Sequence, residues 1–206
     1  MTSILVLMKN FLIATGNIGK FGEIAAVLQD LPYELKSLQD LFQKSQVEEN
    51  GETHDENAFL KARHFFKETN WMTMGEDSGL EVDVLKGELG LHTRRFGAGE
   101  EASDEEWLEV FLKRMEEFSE NKRAARFVCS AALILEDGSE YLFHGTAEGI
   151  ITLKPEATIL PGLPLSSVFK PNGFDKVYAG LSKEEKAQIS HRGLAIGKVK
   201  KFLLER

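Results

Sequence analysis

A chain of 206 residues that is 42% hydrophobic, 28% charged and 9% aromatic suits one α/β domain with a sizeable core and leaves little room for disorder. A formal net charge of -8 argues against a nucleic-acid coat, which needs a basic face, but still permits a small anionic ligand held by a local cluster of cations. The single cysteine, Cys129, excludes an internal disulfide and fits a reducing cytoplasm; inside the apolar run RFVCSAALIL it reads as a core residue rather than a catalytic thiol.

The N-terminal MTSILVLMKNF carries an apolar run too short for a signal peptide, and no run is long enough to span a membrane. MKNFLIATGN already supplies a complete first strand, so Met8 is read as a candidate start, residues 1–7 as an extension or misplaced start, and 8–206 as a single domain. Residues 9–15 predict a buried strand and 17–31 a helix, with Phe21, Ile24, Ala25, Val27 and Leu28 on its apolar face. Thr53 and Glu56 have capping-box spacing and open a helix through about Thr69. Residues 71–85 read as strand, turn, strand, with Glu76 to Gly79 at a strand end or turn. Ser103 and Glu106 form a second capping box, before a helix carrying Trp107, Leu108, Phe111, Leu112, Met115 and Phe118. Residues 125–151 predict a meander with Asp137-Gly138 as its hairpin turn. Residues 152–181 are loop-rich and hold four of the five prolines. Ser182 and Glu185 cap a final helical stretch that breaks near Ser190. Together these elements imply a mixed sheet with helices on its faces.

Four stretches could carry chemistry. ATGNIGK (14–20) follows the first strand and opens a helix, where glycines and free N–H groups admit an anion and Lys20 adds a charge. It is not a Walker A loop, because Gly16 and Gly19 are too close and Phe21 follows the lysine; a plain strand–helix turn fits it as well. In the second, Asn57, Lys61 and His64 share one helical stripe, which alone describes a solvated polar face, and Glu48 and Glu49 lie in the loop before it. In the third, Glu76, Asp77, Ser78 and Gly79 could hold Mg2+ or form an ordinary turn. In the fourth, Lys186 shares a face with Ser190, and His191 and Arg192 follow where a new helix starts. Cations near helix starts beside a carboxylate pair suited to Mg2+ are the parts needed to grip a nucleoside triphosphate.

From about Leu12 to Ala195 the chain resembles the inosine triphosphate pyrophosphatase family. ATGNIGKFGEI is similar to A-T-G-N-x-x-K-x-x-E, GETHDENAFLKAR to G-x-T-F-x-E-N-A-x-x-K-A, and EDSGLEVDVL to D-D-S-G-L-x-V-D-A-L. GLHTRRFGAGE is similar to G-x-x-S-A-R-Y-A-G-E, and EEKAQISHRGLA to E-K-x-x-I-S-H-R-x-x-A. The resemblance implies an elongated α/β fold of two lobes around a central mixed sheet, with substrate in the cleft between them. It implies Mg2+-dependent hydrolysis of non-standard purine nucleoside triphosphates (ITP, dITP and XTP) to the monophosphate and pyrophosphate. A cytoplasmic homodimer with no nucleic-acid or membrane partner is expected. Carried over by position, Thr15, Gly16, Asn17 and Lys20 bind the triphosphate, Asn57 and Lys61 face the phosphates, and Ser78 contacts substrate. Asp77 holds the metal and acts on the attacking water with Lys61 as its catalytic partner, and Glu48 is the second metal carboxylate. Lys186, His191 and Arg192 contact the nucleotide, the last two near the base.

Two departures bear on function. Glu76 replaces the first aspartate of D-D-S-G. More consequentially, GLPLSSVF (162–169) stands where the family carries G-F-G-Y-D-P-x-F, so Leu163, Leu165 and Ser166 replace a phenylalanine, a base-stacking aromatic and an aspartate. Triphosphate hydrolysis with altered or relaxed base preference is therefore the alternative reading, and nucleotide binding without catalysis the third.

Overall fold

The computed structural model describes residues 8–41, 47–95, 97, 99 and 102–206, and the backbone alone at 92, 94 and 95. The expectations for residues 1–7 and for part of GLHTRRFGAGE lie outside the described residues. Six strands form one mixed sheet in the order β2-β1-β3-β4-β5-β6. They are β1 (Lys9–Ile13), β2 (Tyr33–Ser37), β3 (Met72–Val82), β4 (Ala124–Ile134), β5 (Glu140–Ile151) and β6 (Phe169–Pro171). β1 pairs in parallel with β2 and β3, and the remaining neighbours are antiparallel. The helices are α1 (Ile18–Leu28), α2 (His54–Thr69), α3 (Asp104–Met115), α4 (Lys183–Ile189) and α5 (His191–Leu204). No helix among the described residues is long and apolar enough to cross a membrane.

Local chemistry sets most boundaries. Thr53 accepts from the Glu56 N–H at the start of α2, and Ser103 and Ser182 form reciprocal capping boxes with Glu106 and Glu185. Ser190 ends α4 and caps α5, accepting from the Gly193 N–H. α1 stops at Leu28, short of residue 31, because Pro32 disfavours helical backbone at the residue before it. The β4–β5 hairpin turns at Asp137-Gly138, with Gly138 at φ 82°.

Residues 71–85 do not break into strand, turn and strand. β3 runs unbroken for 11 residues, paired with β4 from Thr73↔Ile134 to Val82↔Ala125, so ladder pairing overrides the turn tendency of Asp77-Ser78-Gly79. Along one face of β3 the side chains run Met72, Met74, Glu76, Ser78, Leu80, Val82. Met72 and Met74 belong to an apolar core with α1 and α5, whereas Leu80 and Val82 belong to a second core with α3, Phe127 and Tyr178. Glu76 and Ser78 occupy the polar gap between the two. On the opposite face α2 lies directly on the strand, since a Cβ on Gly75 would stand 2.1 Å from the Ala58 carbonyl oxygen. Gly145 on β5 admits α5 in the same way, its added Cβ falling 2.0 Å from the His191 carbonyl oxygen. Both cation-bearing helices are thus seated at backbone contact on glycines of the sheet.

Candidate active site

β1 pairs with β3 only through Met74, after which the chain leaves through Ala14 and Thr15 into α1. β3 continues past that point, and a cavity of about 660 Å³ opens beside Glu76 to Gly79, where β1 no longer flanks the strand. That volume suits a nucleotide-sized ligand. Thr15, Gly16, Asn17 and Lys20 form one wall. Asn17 caps α1 by accepting from the Lys20 N–H, and its side-chain amide donates to the Gly162 carbonyl at 3.0 Å, tying this wall to the loop opposite.

The two carboxylates of EDSG point to opposite faces. Asp77 faces α2: His54 Nδ1 is 2.7 Å from its Oδ2, Lys61 Nζ is 3.5 Å from Oδ1, and the Asn57 amide donates at 3.5 Å. Burial alone would raise the Asp77 carboxyl, but the hydrogen bond with His54 and the charges of Lys61 and Lys20 hold it below the ordinary carboxylate range. Lys61 is buried, which would lower its pKa, yet Asp77 and Glu49 raise it above the usual value. The site therefore holds an ionised carboxylate beside a protonated lysine.

Glu76 faces α1 and α5. Lys20 Nζ lies 2.9 Å from its Oε2, and the Arg192 guanidinium donates to its Oε1 at 3.1 Å and to Ser78 Oγ at 3.0 Å. Arg192 and Lys186 also form ion pairs with Glu23. Burial would raise Glu76, but Arg192 and Lys20 hold it well below the carboxylate range. Arg192 is buried too, and Glu76 and Glu23 keep its pKa above the ordinary value. Four cations (Lys20, Lys61, Lys186, Arg192) thus meet four carboxylates (Glu23, Glu49, Glu76, Asp77) at the cleft. Cys129 is buried beneath them as expected, with burial and then Glu76 pushing its thiol well up.

Most residues singled out from the sequence meet here: Lys61, Asp77, Ser78, His191 and Arg192 line the cavity together with the Thr15–Lys20 wall. Four do not line it. Asn57 is buried behind Asp77 and accepts from the Gly51 N–H. Lys186 sits behind Glu23 and over the Tyr178 ring. Glu48 does not line the cavity, whereas its neighbour Glu49 does, with its carboxylate 2.8 Å from Lys61 Nζ. His64, on the predicted stripe, pairs instead with Glu68. Sequence reasoning did not single out His54 or Glu23. Glu23 lies one helical turn after Lys20, and His54 stands at the phenylalanine of the second motif, and these were the available signals.

The far end of the cavity is aromatic. Phe127 stacks on His191 with centroids 4.6 Å apart and on Tyr178 at 5.9 Å. Burial, and then the Arg192 charge, push His191 well below the usual histidine range, so its imidazole is neutral. Leu163, Pro164, Leu165 and Ser166 form the opposing lip.

The Ham1 family model matches residues 11–202. A dITP/XTP pyrophosphatase of Bacillus licheniformis is 39% identical over 196 residues, spanning 95% of this chain and 98% of that one. The protein of the same description from Escherichia coli is 39% identical over 191 residues, 92% and 95% of the respective chains. Among solved structures, the Ham1 protein of Staphylococcus aureus superposes with a TM-score of 0.79 at 36% identity, covering 96% of this chain and 99% of that one. A HAM1 protein from Coxiella burnetii superposes at 0.81 with 31% identity, covering 97% and 100%. The resemblance carried by the five motifs is borne out along nearly the whole chain, which belongs to the Ham1 family.

Proposed function

We propose that this protein is a pyrophosphatase of non-standard purine nucleoside triphosphates, acting on dITP, ITP and XTP and so cleaning the nucleotide pool. One observation carries the reading: an ionised Asp77 paired with a protonated Lys61 on one wall of a nucleotide-sized cleft, facing Lys20 and the Thr15–Asn17 turn. The dITP/XTP pyrophosphatases that align over nearly their whole length support the substrate class.

Mg2+ fits the residues present. Among the described residues no group of three or more His, Cys, Asp and Glu could hold a metal alone. Mg2+ takes one or two protein carboxylates and fills its remaining positions with water and phosphate oxygens. Asp77 and Glu49, hard oxygen donors on the cavity wall, would hold it. The charge balance favours a divalent partner as well. Among the described residues, four cations against four carboxylates leave the cleft near neutral, while a nucleoside triphosphate carries about four negative charges. When bound, the ion supplies neutralising charge to the phosphates and the leaving group.

The remaining steps belong to the chain. Lys20 and Lys61 hold the phosphate oxygens, exchanging their internal carboxylates for substrate. Asp77, fixed by His54 and Asn57, orients a water toward the α-phosphorus and accepts its proton. The new P–O bond forms as the bridge to the β-phosphorus breaks, releasing monophosphate and pyrophosphate. At the aromatic end, a neutral His191 packed on Phe127 meets the base. The lip of Leu163, Leu165 and Ser166, which carries no aromatic ring, favours a base preference different from that of relatives with an aromatic there.

The test is pyrophosphate release with Mg2+ from ITP, dITP, XTP, dUTP, GTP and ATP, with hydrolysis in 18O-water. Pyrophosphate from ITP or XTP, with label in the monophosphate, is expected. Release of inorganic phosphate, or no hydrolysis of any of the six, would overturn the proposal.

A further inference from the structure

Trp107 is 1% exposed, lines the cleft, and among the described residues its Nε1 has no hydrogen-bond partner. A buried donor left unpaired is uncommon and asks for an explanation. The residue lies in the first turn of α3, stacked on Phe111 with centroids 5.5 Å apart and planes 11° from parallel. It shares its apolar core with Phe127, Tyr178 and Leu165. It therefore stands with the aromatic side chains that line the cavity.

The same turn of α3 holds the substituted loop. Asp104 Oδ2 accepts from the Gly162 N–H at 2.5 Å, and α3 packs against the Pro164–Ser167 turn. One helix thus anchors the loop that carries no aromatic and, one turn on, presents an indole to the same cavity. His191 also lines the cavity, and its buried Nδ1 likewise has no partner among the described residues.

We propose that Trp107 reads the nucleobase, its indole N–H donating to the 6-carbonyl oxygen of a purine where the Leu163–Ser166 lip provides no aromatic ring. The inference rests on the nucleotide-hydrolysing reading above and adds a specificity residue to it. The indole nitrogen only donates. A 6-keto purine offers an acceptor at O6 and a donor at N1, which match an indole N–H and an imidazole nitrogen with a free lone pair. The neutral state of His191, enforced by burial, permits that role. Adenine reverses both positions, with a donor at N6 and an acceptor at N1, so two buried groups would stay unpaired against it. Mismatches of this kind discriminate more strongly than a missing methylene. Guanine carries the same 6-keto edge, so Trp107 separates keto from amino purines but not hypoxanthine from guanine.

Trp107→Phe keeps an aromatic ring and removes the donor. With ITP as substrate, KM is expected to rise about 3- to 10-fold with kcat within about threefold, as for loss of one neutral hydrogen bond to substrate. The ITP-over-ATP ratio of kcat/KM falls with it, and the ITP-over-GTP ratio stays put. A packing role alone would move all three nucleotides together; that result, or no change, overturns the inference. A second readout needs no turnover. The chain has two tryptophans, Trp71 and Trp107, so in Trp71→Phe the emission reports Trp107 alone. Titration with IMP is expected to quench or shift that emission, and AMP at the same concentration to do so far less. Equal responses, or none to IMP, sink the proposal. If the wild-type chain releases no pyrophosphate, the hydrolytic reading fails, and the titration still decides whether Trp107 meets the base.

Discussion

Glu76 and Asp77 are adjacent in sequence and stand back to back across one strand. Asp77 is held by His54, Asn57 and Lys61 on the α2 side, and Glu76 by Lys20 and Arg192 on the side of α1 and α5. The period of two therefore assigns them different work. Asp77 is the carboxylate proposed above to act on the attacking water, whereas Glu76 anchors Lys20 and Arg192.

Asp77→Asn is expected to lower kcat/KM for the best substrate by about 10²- to 10⁴-fold while the fold survives, since the amide keeps the shape and loses the charge. Pyrophosphate release and a thermal melt on the same sample check this. A drop of less than tenfold would remove Asp77 from the chemistry.

His54→Phe installs the residue that the family motif has at this position. The hydrogen bond with His54 is the first of the interactions holding the Asp77 carboxyl down against burial. Without it that pKa rises, and the acid limb of the pH profile of kcat/KM moves to higher pH. An unmoved acid limb would show that Lys61 alone sets the Asp77 charge.

Glu76→Gln strips Arg192 of a buried partner. Breaking a buried pair by removing one member costs about 3–5 kcal/mol. The melting temperature should fall accordingly, measured by denaturant or thermal unfolding. A loss of activity with unchanged stability would instead make Glu76 a direct participant in the reaction.

Stability should decline with acid in two stages. The His191 pKa is depressed in the fold, by burial and then by Arg192, so its contribution is full above the unfolded value of 6.5 and is lost as pH falls below it. The lowered pKa values of Glu23, Glu76 and Asp77 add a second loss below about pH 4.5, where the unfolded carboxylates begin to take up protons. His191→Gln should flatten the stability curve between about pH 5 and 6.5 and leave the lower stage intact. Denaturant titrations at several pH values would resolve the two stages.

The helix starts were legible because their signals are local: the serines at 103, 182 and 190 and Thr53 each accept the amide that their spacing implied. The stripe of Asn57 and Lys61 was legible for the same reason. What escaped depends on partners distant in sequence. Asp77-Ser78-Gly79 carries turn chemistry, and only the ladder to β4, about fifty residues on, keeps it extended. Glu48 and Glu49 lie outside any periodic element, so nothing local says which of them turns inward. Trp107 fitted the apolar face of its helix, and it does lie in a core, but its orphaned nitrogen is visible only when the cavity is built.

Gly75→Ala would place a methyl carbon 2.1 Å from the Ala58 carbonyl oxygen, a backbone atom that cannot rotate away. α2 would have to lift from the sheet, at a cost of about 3 kcal/mol or more, and Lys61 would move with it. Substrate turnover should therefore fall together with stability, in contrast to Asp77→Asn.

The internal pairing of the cleft has a consequence for its behaviour in electrolyte. Lys20, Lys61 and Arg192 are already neutralised by carboxylates of the same chain, so substrate displaces fixed protein charges and few mobile ions from solution. Its affinity should then depend only shallowly on ionic strength, over a range in which a groove of bare lysines would lose most of its grip.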